Sequence, residues 1–599
     1  MRARRRLDDG ACCSQAGADG GGSVASSQGY RERPARRLPM PLNLASAWEI
    51  VADRAGDRLA VHCGGVSRNW AELEDRAARL AKALSEVGVG AGDNVAIALN
   101  NGNEYIEAEF AAMKCRAAHC NVNYRYVEEE LAYLVDNSDA KAVFFDGSLA
   151  ERFGNVRARL GKVKLWIHVG DGDCPDWAAR HETLVDGHDP AAPIDRSPDD
   201  LWLLYTGGTT GNPKGVMWPH GNLCHLARRT LDPAGISLPS DLSGVPAMLD
   251  RLDELDVVPR QLAASPLMHG TAGLTALITL LQGGAVVSIV GRKFDADELW
   301  RVAVEQKCTT ISIVGDVFCR PMVEALEGAE KRGAPYDLSA LRAVGSSGVM
   351  WTQPVKDGLL AFAARSGAKI VLNDSLGASE GVGFAAKQSA GEGDTETAKF
   401  TLGPNAAVFT EDGRRVEPGS GETGLLAVTG PIPLGYYGDP VKTAETFREF
   451  EGKRWSVPGD WARIDADGTV TLLGRGSVSI NTGGEKVYPE EVEEALKLLP
   501  EVVDVNVVGV PDPKWGAAVT AVLEIAEGAE SRTRRWWMRF GAGSRPTSFP
   551  RTSCASTSSF GVPTASRISS GPRRPRGQPS ESPRTRSGLA SSPCRQQIQ

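Results

Sequence analysis

The segment Tyr205-Thr206-Gly207-Gly208-Thr209-Thr210-Gly211-Asn212-Pro213-Lys214-Gly215 narrows what this chain can fold into more than any other stretch. It follows the apolar run Leu201-Trp202-Leu203-Leu204, so a buried strand must run straight into a glycine-rich loop. Glycines permit positive φ and let backbone N–H groups approach an anion, while Thr206, Thr209, Thr210 and Lys214 add hydroxyl donors and a cation. Such a loop is suited to holding phosphate. It is not the GxxxxGK[ST] loop, because Lys214 follows Pro213 and precedes Gly215 rather than Ser or Thr. An ordinary surface turn rarely gathers so many hydroxyls and glycines.

At 599 residues, 42% of them hydrophobic, the chain has material for a large multi-domain globular protein. A formal net charge of -8 argues against a dedicated nucleic-acid partner, though a local basic patch could still attract a nucleotide. The most apolar stretch, Leu274 to Val290, is interrupted by Gln282-Gly283-Gly284 and reads as helix, turn and buried strand rather than a membrane span. The cysteines are scattered without CxxC pairs, which points to reduced thiols and a cytoplasmic location, with neither zinc nor a disulfide scaffold. Residues 1–39 are rich in Arg, Gly and Ser and lack periodicity; they read as a disordered extension, with Met40 as the expected natural start.

From 40 to 474 helix-periodic segments alternate with short β-branched strands, the pattern of an α/β fold with largely parallel, buried sheets. Helices are predicted near Leu44 to Ala55, Trp70 to Val87 and Glu104 to Cys115; strands at Asn94 to Ala98, Ala142 to Phe145, Lys164 to Val169 and Ile311 to Val314. Asp232 to Gln261, with its Pro, Gly and mixed charges, is expected to be a loop-rich excursion able to cover a site. After Gly474-Arg475 the character changes to a compact piece: helix from Glu490 to Leu499, strands at Val502 to Val510 and Ala518 to Ile525. The expectation is a large α/β N-terminal domain of packed sheets and helices, with a small, mobile α+β C-terminal domain starting at 475.

The phosphate loop has companions in order: Asp374-Ser375-Leu376-Gly377-Ala378-Ser379-Glu380, Gly435-Tyr436-Tyr437-Gly438, Gly459-Asp460, and Gly474-Arg475 running into Asn481-Thr482-Gly483-Gly484-Glu485-Lys486. Together they resemble the adenylate-forming (AMP-binding) superfamily, most closely the bacterial fatty-acyl and steroid-side-chain CoA synthetases, over residues 40–529. The resemblance implies ATP-dependent activation of a carboxylic acid to an acyl-adenylate, then transfer to CoA, with Mg²⁺ offsetting repulsion between the anionic reactants. A close enzyme alternative hands the acyl group to a carrier-protein thiol; a non-catalytic adenylate-binding protein is a second alternative.

By the same resemblance Glu380 and Thr206 would contact Mg²⁺, and Lys214, Thr206, Gly207, Gly208, Thr209, Thr210 and Gly211 would face the phosphates. Asp374 and Ser379 fall on the nucleotide side of the site, Ser379 near the α-phosphate, and Ser347 lines the adenine pocket. Leu376 takes the place of a commoner aromatic. Asp460 would accept from the ribose hydroxyls, since a carboxylate can take both protons of a diol. His269, in Ser265-Pro266-Leu267-Met268-His269-Gly270, either orients the substrate carboxylate or is a hydrogen-bonded loop histidine. Arg475 marks the hinge region, with Ser477 at a position more often Asp or Lys; Gly483 and Gly484 would leave room for a pantetheine arm, and Lys486 would either reach the adenylate or be solvated.

Family members close with Tyr-Lys-x-Pro and then Gly-Lys, and residues 530–599 contain neither; they are rich in Ser, Arg and Pro and lack lysine. Joining the third base of each codon to the first two of the next lets Gly543 to Pro550 be read as Leu-Ala-Ala-Tyr-Lys-Leu-Pro, and Pro563 to Ile568 as Asn-Gly-Lys-Pro-Asp. The expectation is therefore a frameshift near Ala529 to Ser531, with the tail out of frame. If the tail is real, the chain lacks its adenylation lysine.

Overall fold

Hydrophobic strands that alternate with amphipathic helices can bury both faces of a sheet, and in the computed structural model they do so twice in the large domain. The structure describes residues 40–208, 211–290, 293–391, 399–475, 480–482, 485–487, 489–497, 499, 501–512, 516–525, 552–554 and 596–598.

The first sheet has seven strands, in the spatial order Ala179–Arg180, Leu165–Val169, Ala140–Asp146, Asn94–Ala98, Ala118–Asn121, Leu201–Gly208, Gly211–Pro219. All neighbours are parallel except the last two, which form an antiparallel hairpin around the phosphate loop. The second sheet has 15 strands. Its parallel centre consists of Leu59–Cys63, Ala285–Ser288, Arg260–Ala263, Thr310–Ile313, Ala343–Ser347 and Val371–Ala378. Beyond Val371–Ala378 it continues antiparallel through Gly381–Ser389, Lys399–Leu402, Thr469–Arg475 and Asp460–Ile464. A third, six-stranded sheet belongs to the small domain and centres on the hairpin Val502–Asp512 and Gly516–Ile525. Gly516–Ile525 also pairs with Gln596–Ile598, which in turn pairs with Thr552–Cys554.

Local sequence explains why these elements form. Helix Trp70–Glu86 starts at a capping box, Asn69 with Glu72, and buries Leu73, Ala77, Leu80, Ala81 and Leu84 along one stripe. Helix Leu44–Arg54 is capped by Asn43. The strands and helices read from the sequence between residues 44 and 170 recur within a few residues of their expected ends. One expectation is corrected: Asp232 to Gln261 is not mainly loop. Helix Val245–Glu254 lies within it and buries Val245, Met248, Leu249 and Leu252 against the main core. The i, i+3, i+4, i+7 stripe outweighs the surrounding Pro, Gly and charge. Val502–Asp512 and Gly516–Ile525 match the small-domain strands read from sequence, and Pro489–Lys497 its helix.

Several buried charges in the large domain are paired. Lys114 meets Glu49 and Glu74, and Arg196 also binds Glu49. Glu107, fully buried, receives Arg68 at 2.7 Å and Arg76 at 2.9 Å, with His181 Nε2 3.3 Å away. Burial alone would raise the Glu107 pKa, but His181 and Arg76 hold it down to about 2. Burial alone would lower His181, yet Glu107 and Glu182 raise it to about 9. A raised histidine stabilises the fold fully below its unfolded value near 6.5, and that contribution is lost as pH rises through about 9. Urea unfolding at pH 6 and pH 9.5 should therefore differ by roughly 2 kcal/mol, allowing for the exposed Glu182. His181→Gln should remove most of that difference; an unchanged pH dependence would show that His181 is not its source.

Candidate functional site

In an open parallel sheet, ligands bind beyond the carboxyl ends of the strands. The sequence-predicted residues occupy those ends in both large sheets. Thr206 and Gly207 end Leu201–Gly208, His269 follows Arg260–Ala263, Ser347 ends Ala343–Ser347, and Asp374 lies on Val371–Ala378. Two asparagines at carboxyl ends tie the sheets together. Asn121 accepts from Tyr205 N at 2.7 Å and donates to the carbonyls of Tyr205 and Met268 at 2.8 and 2.7 Å. Asn101 donates to the carbonyls of Ala263 and Ser265 and accepts from Leu267 N. The base of the phosphate loop and the His269 segment are thus fixed to each other by buried hydrogen bonds to the Asn121 amide. Neither asparagine stands out in the sequence, where a lone Asn after a strand reads as a turn residue.

The phosphate hairpin pairs Thr206 with Lys214 and Gly208 with Gly211, with an irregularity between Thr206 and Gly208. Directly opposed residues send side chains to the same face, so Thr206 and Lys214 share one side of the hairpin. Gly215 has no room for a larger residue, since a Cβ there would lie 2.7 Å from the Tyr205 ring. Thr209 and Thr210 lie outside the described residues.

Ser379 and Glu380 form the two-residue turn between Val371–Ala378 and Gly381–Ser389, where Ala378 pairs with Gly381. Trp218, on the far strand of the phosphate hairpin, donates to the Ser379 carbonyl at 2.8 Å, and Ser456 Oγ donates to the Glu380 carbonyl at 2.6 Å. The turn is therefore bolted to the hairpin. Glu380 is only 9% exposed, and Tyr436 Oη donates to its Oε1 at 2.7 Å. Lys214 Nζ lies 5.7 Å from the centre of the Tyr436 ring and 2.6 Å from Asp439 Oδ2. The structure thus brings Thr206, Lys214, Ser379 and Glu380 together, and adds Tyr436 and Asp439. Tyr436 belongs to the Gly435-Tyr436-Tyr437-Gly438 motif, whereas Asp439 lies just past it and carries no sequence signal of its own.

Ser347 pairs with Ser375 across adjacent strands, placing it one strand away from the Asp374 to Glu380 segment. Asp374 faces Lys356, which is 1% exposed and 2.6 Å away. Burial raises the Asp374 pKa, and Lys356 opposes that rise. Leu376 packs against the main core. His269 precedes helix Gly270–Leu281 and is open to solvent; the surrounding protein mass, together with Arg125, lowers its pKa. Asp460 pairs with Arg475 across antiparallel strands, a juxtaposition that only the register reveals. Lys486 lies on the short strand Glu485–Val487. Ser477, Gly483 and Gly484 lie outside the described residues.

Among the described residues no group of three or more His, Cys, Asp and Glu could hold a metal ion by itself. A divalent ion at Glu380 would draw on that carboxylate and the Thr206 hydroxyl, and on oxygens from substrate phosphates and water. That donor set fits Mg²⁺, which is commonly held by one or two carboxylates plus substrate phosphates. A recess of about 430 Å³ lies at the opposite, amino-terminal ends of the strands, by Pro259, Thr309 and Arg342. Two of its arginines, Arg58 and Arg342, are already paired with Asp253 and Asp256.

Known proteins resemble the chain over most of its length. The AMP-binding enzyme family matches residues 48–437, and the AMP-binding enzyme C-terminal domain matches residues 491–539. The chain is 42% identical over 510 residues to the 3-oxocholest-4-en-26-oate–CoA ligase of Rhodococcus rhodochrous, covering 82% of this chain and 88% of that one. It is 38% identical over 500 residues, with the same coverage, to the medium/long-chain-fatty-acid–CoA/3-oxocholest-4-en-26-oate–CoA ligase of Mycobacterium tuberculosis H37Rv. The crystal structure of ATP-bound MatB from Rhodopseudomonas palustris superposes with a TM-score of 0.67 at 25% identity, covering 85% of this chain and 96% of that one.

Proposed function

The chain belongs to the AMP-binding enzyme family, as an AMP-forming acid–thiol ligase that activates a carboxylic acid with ATP, and on that premise we propose that its acid is a fatty or steroid-side-chain carboxylate and its thiol acceptor CoA. The observation that carries the site is the meeting of Glu380, Tyr436 and Lys214 beside the phosphate hairpin. It sets an anionic group for a metal next to a cationic group for phosphate. The identities of the relatives support the acid class. Glu380 and Thr206 would hold Mg²⁺, which when bound neutralises phosphate charge. Lys214 and the hairpin N–H groups orient the triphosphate. Ser379 and Ser347 line the nucleotide, Asp460 takes the ribose hydroxyls, and His269 orients the acid. Arg475 completes the wall of the adenylate site, Lys486 reaches the adenylate phosphate, and Gly484 leaves room for the pantetheine arm in the thioester step.

No described helix is long and apolar enough to cross a membrane. Seven described cysteines, Cys115, Cys224 and Cys319 among them, are free thiols, which supports a cytoplasmic location.

The test incubates ATP and a panel of acids, from short-chain to steroidal, with CoA or with a carrier protein, and identifies the thioester formed. Acyl-CoA from long-chain or steroidal acids is the expected product; thioester on carrier protein alone would overturn the CoA assignment. A parallel version with the frame after residue 529 restored tests the proposal that the adenylation lysine is encoded out of frame. The restored protein should release pyrophosphate about 10²–10³-fold faster, the usual value of one preorganised donor to developing charge. Equal rates would remove the frameshift from the account.

A further inference from the structure

In this structure Lys214 is already engaged. Its ammonium is 2.6 Å from Asp439 Oδ2 and lies over the Tyr436 ring, whose hydroxyl donates to Glu380. The segment carrying both partners is laced to the phosphate hairpin by main-chain bonds: Leu434 N to Met217 O at 2.9 Å, Met217 N to Gly435 O at 2.9 Å, and Tyr437 N to Gly215 O at 2.8 Å. Gly435 is confined to this role, with φ 144° and a hypothetical Cβ 2.4 Å from Thr443 Cγ2. Asp439 is divided between two tasks. Its Oδ1 accepts from Lys442 N at 2.9 Å to cap helix Pro440–Thr446, and its Oδ2 faces Lys214.

We propose that Asp439 and Tyr436 are positioning residues for acid activation: Asp439 parks Lys214 over the Tyr436 ring until a nucleotide phosphate takes the lysine over, while Tyr436 holds Glu380 in the orientation that step needs. This rests on the ligase reading above. The side chains of Lys214 and Asp439 are 37% and 34% exposed, and an ion pair this open to water is weak. Phosphate oxygens offer the same ammonium shorter, stronger charge-assisted bonds. Exchange is therefore downhill once a triphosphate arrives. Until then the parked pair keeps the lysine from drifting and from binding stray anions. The Tyr436–Glu380 bond is of another kind: it is buried, and the ring that supports Lys214 also carries the hydroxyl that orients the carboxylate.

Asp439→Asn keeps a side-chain oxygen able to cap the helix but removes the counter-ion. ATP should then bind about 3- to 10-fold more tightly in calorimetry without acid substrate, because the competing carboxylate is gone. In a Lys214→Met background the same substitution should give no gain. Tyr436→Phe keeps the ring and loses only the hydroxyl; kcat for pyrophosphate release should fall about 10-fold, the scale of one hydrogen bond to a charged group, with the ATP dissociation constant within about twofold. Asp439→Asn and Lys214→Met should melt with the parent, whereas Tyr436→Phe, which leaves the buried Glu380 carboxylate short of a donor, should melt a few degrees lower yet stay folded at the assay temperature. Unchanged or weaker ATP binding by Asp439→Asn, or a gain that persists without Lys214, overturns the parking role. An unchanged kcat in Tyr436→Phe overturns the orienting role. If the parent chain itself fails to bind ATP, the ligase reading falls first, so the two failures are told apart.

Discussion

Replacing Lys356 with Met is expected to lower unfolding stability by about 3–5 kcal/mol, measured by urea denaturation at pH 8. Lys356 Nζ is 2.6 Å from Asp374 Oδ2, and the two side chains are 1% and 11% exposed. The lysine also lies 5.5 Å from the Trp351 ring centre. Removing it leaves a carboxylate buried on strand Val371–Ala378 without its counter-ion. Such an orphaned charge costs far more than the intact pair contributes, because a buried pair roughly breaks even against a well-packed apolar replacement. Two further outcomes follow. Lys356→Met with Asp374→Leu should recover most of the loss. The deficit of the single variant should also shrink at pH 5, since the raised Asp374 pKa means that the buried carboxyl is tolerated when protonated. If the double variant is as unstable as the single one, packing of the lysine stem rather than charge is the cause.

Lys356 also shows where the sequence stops being legible. A single lysine on an amphipathic helix such as Gln353–Arg365 reads as solvent-facing. Only the tertiary fold, in which that helix and Val371–Ala378 share one apolar core, carries it to Asp374. The parallel strands are readable because burial on both faces leaves continuous apolar runs, as in Val95 to Ala98 of Asn94–Ala98. Helix Val245–Glu254 is not, because its apolar stripe is embedded in a Pro- and charge-rich neighbourhood. At the site, Glu380 and Lys214 could be chosen from their motifs. Their shared support on Tyr436 could not, since it depends on the segment from 434 to 437 lying alongside Gly211–Pro219. Asn101 and Asn121 carry no motif at all; they work because two separate sheets present carboxyl ends to one another, a property of topology rather than of any local stretch.

Glu380→Gln is expected to reduce acyl-adenylate formation by about 10²–10³-fold, read as ATP-dependent pyrophosphate release with saturating acid. The substitution is nearly isosteric, and its amide oxygen can still accept from Tyr436, so the turn between Val371–Ala378 and Gly381–Ser389 should survive. What disappears is the negative charge. Stability should therefore stay within about 1 kcal/mol of the parent, because the retained hydrogen bond leaves no buried polar group unpaired. The comparison with Tyr436→Phe separates the two contributions at this carboxylate. Loss of the hydroxyl changes orientation and should cost about tenfold, whereas loss of the charge removes the group a metal would need and should cost at least ten times more. The two effects should not add, since a neutral amide no longer gains from being aimed at a cation. If Glu380→Gln costs no more than Tyr436→Phe, the carboxylate serves the geometry of the turn and not the chemistry, and the anionic half of the site must be sought elsewhere.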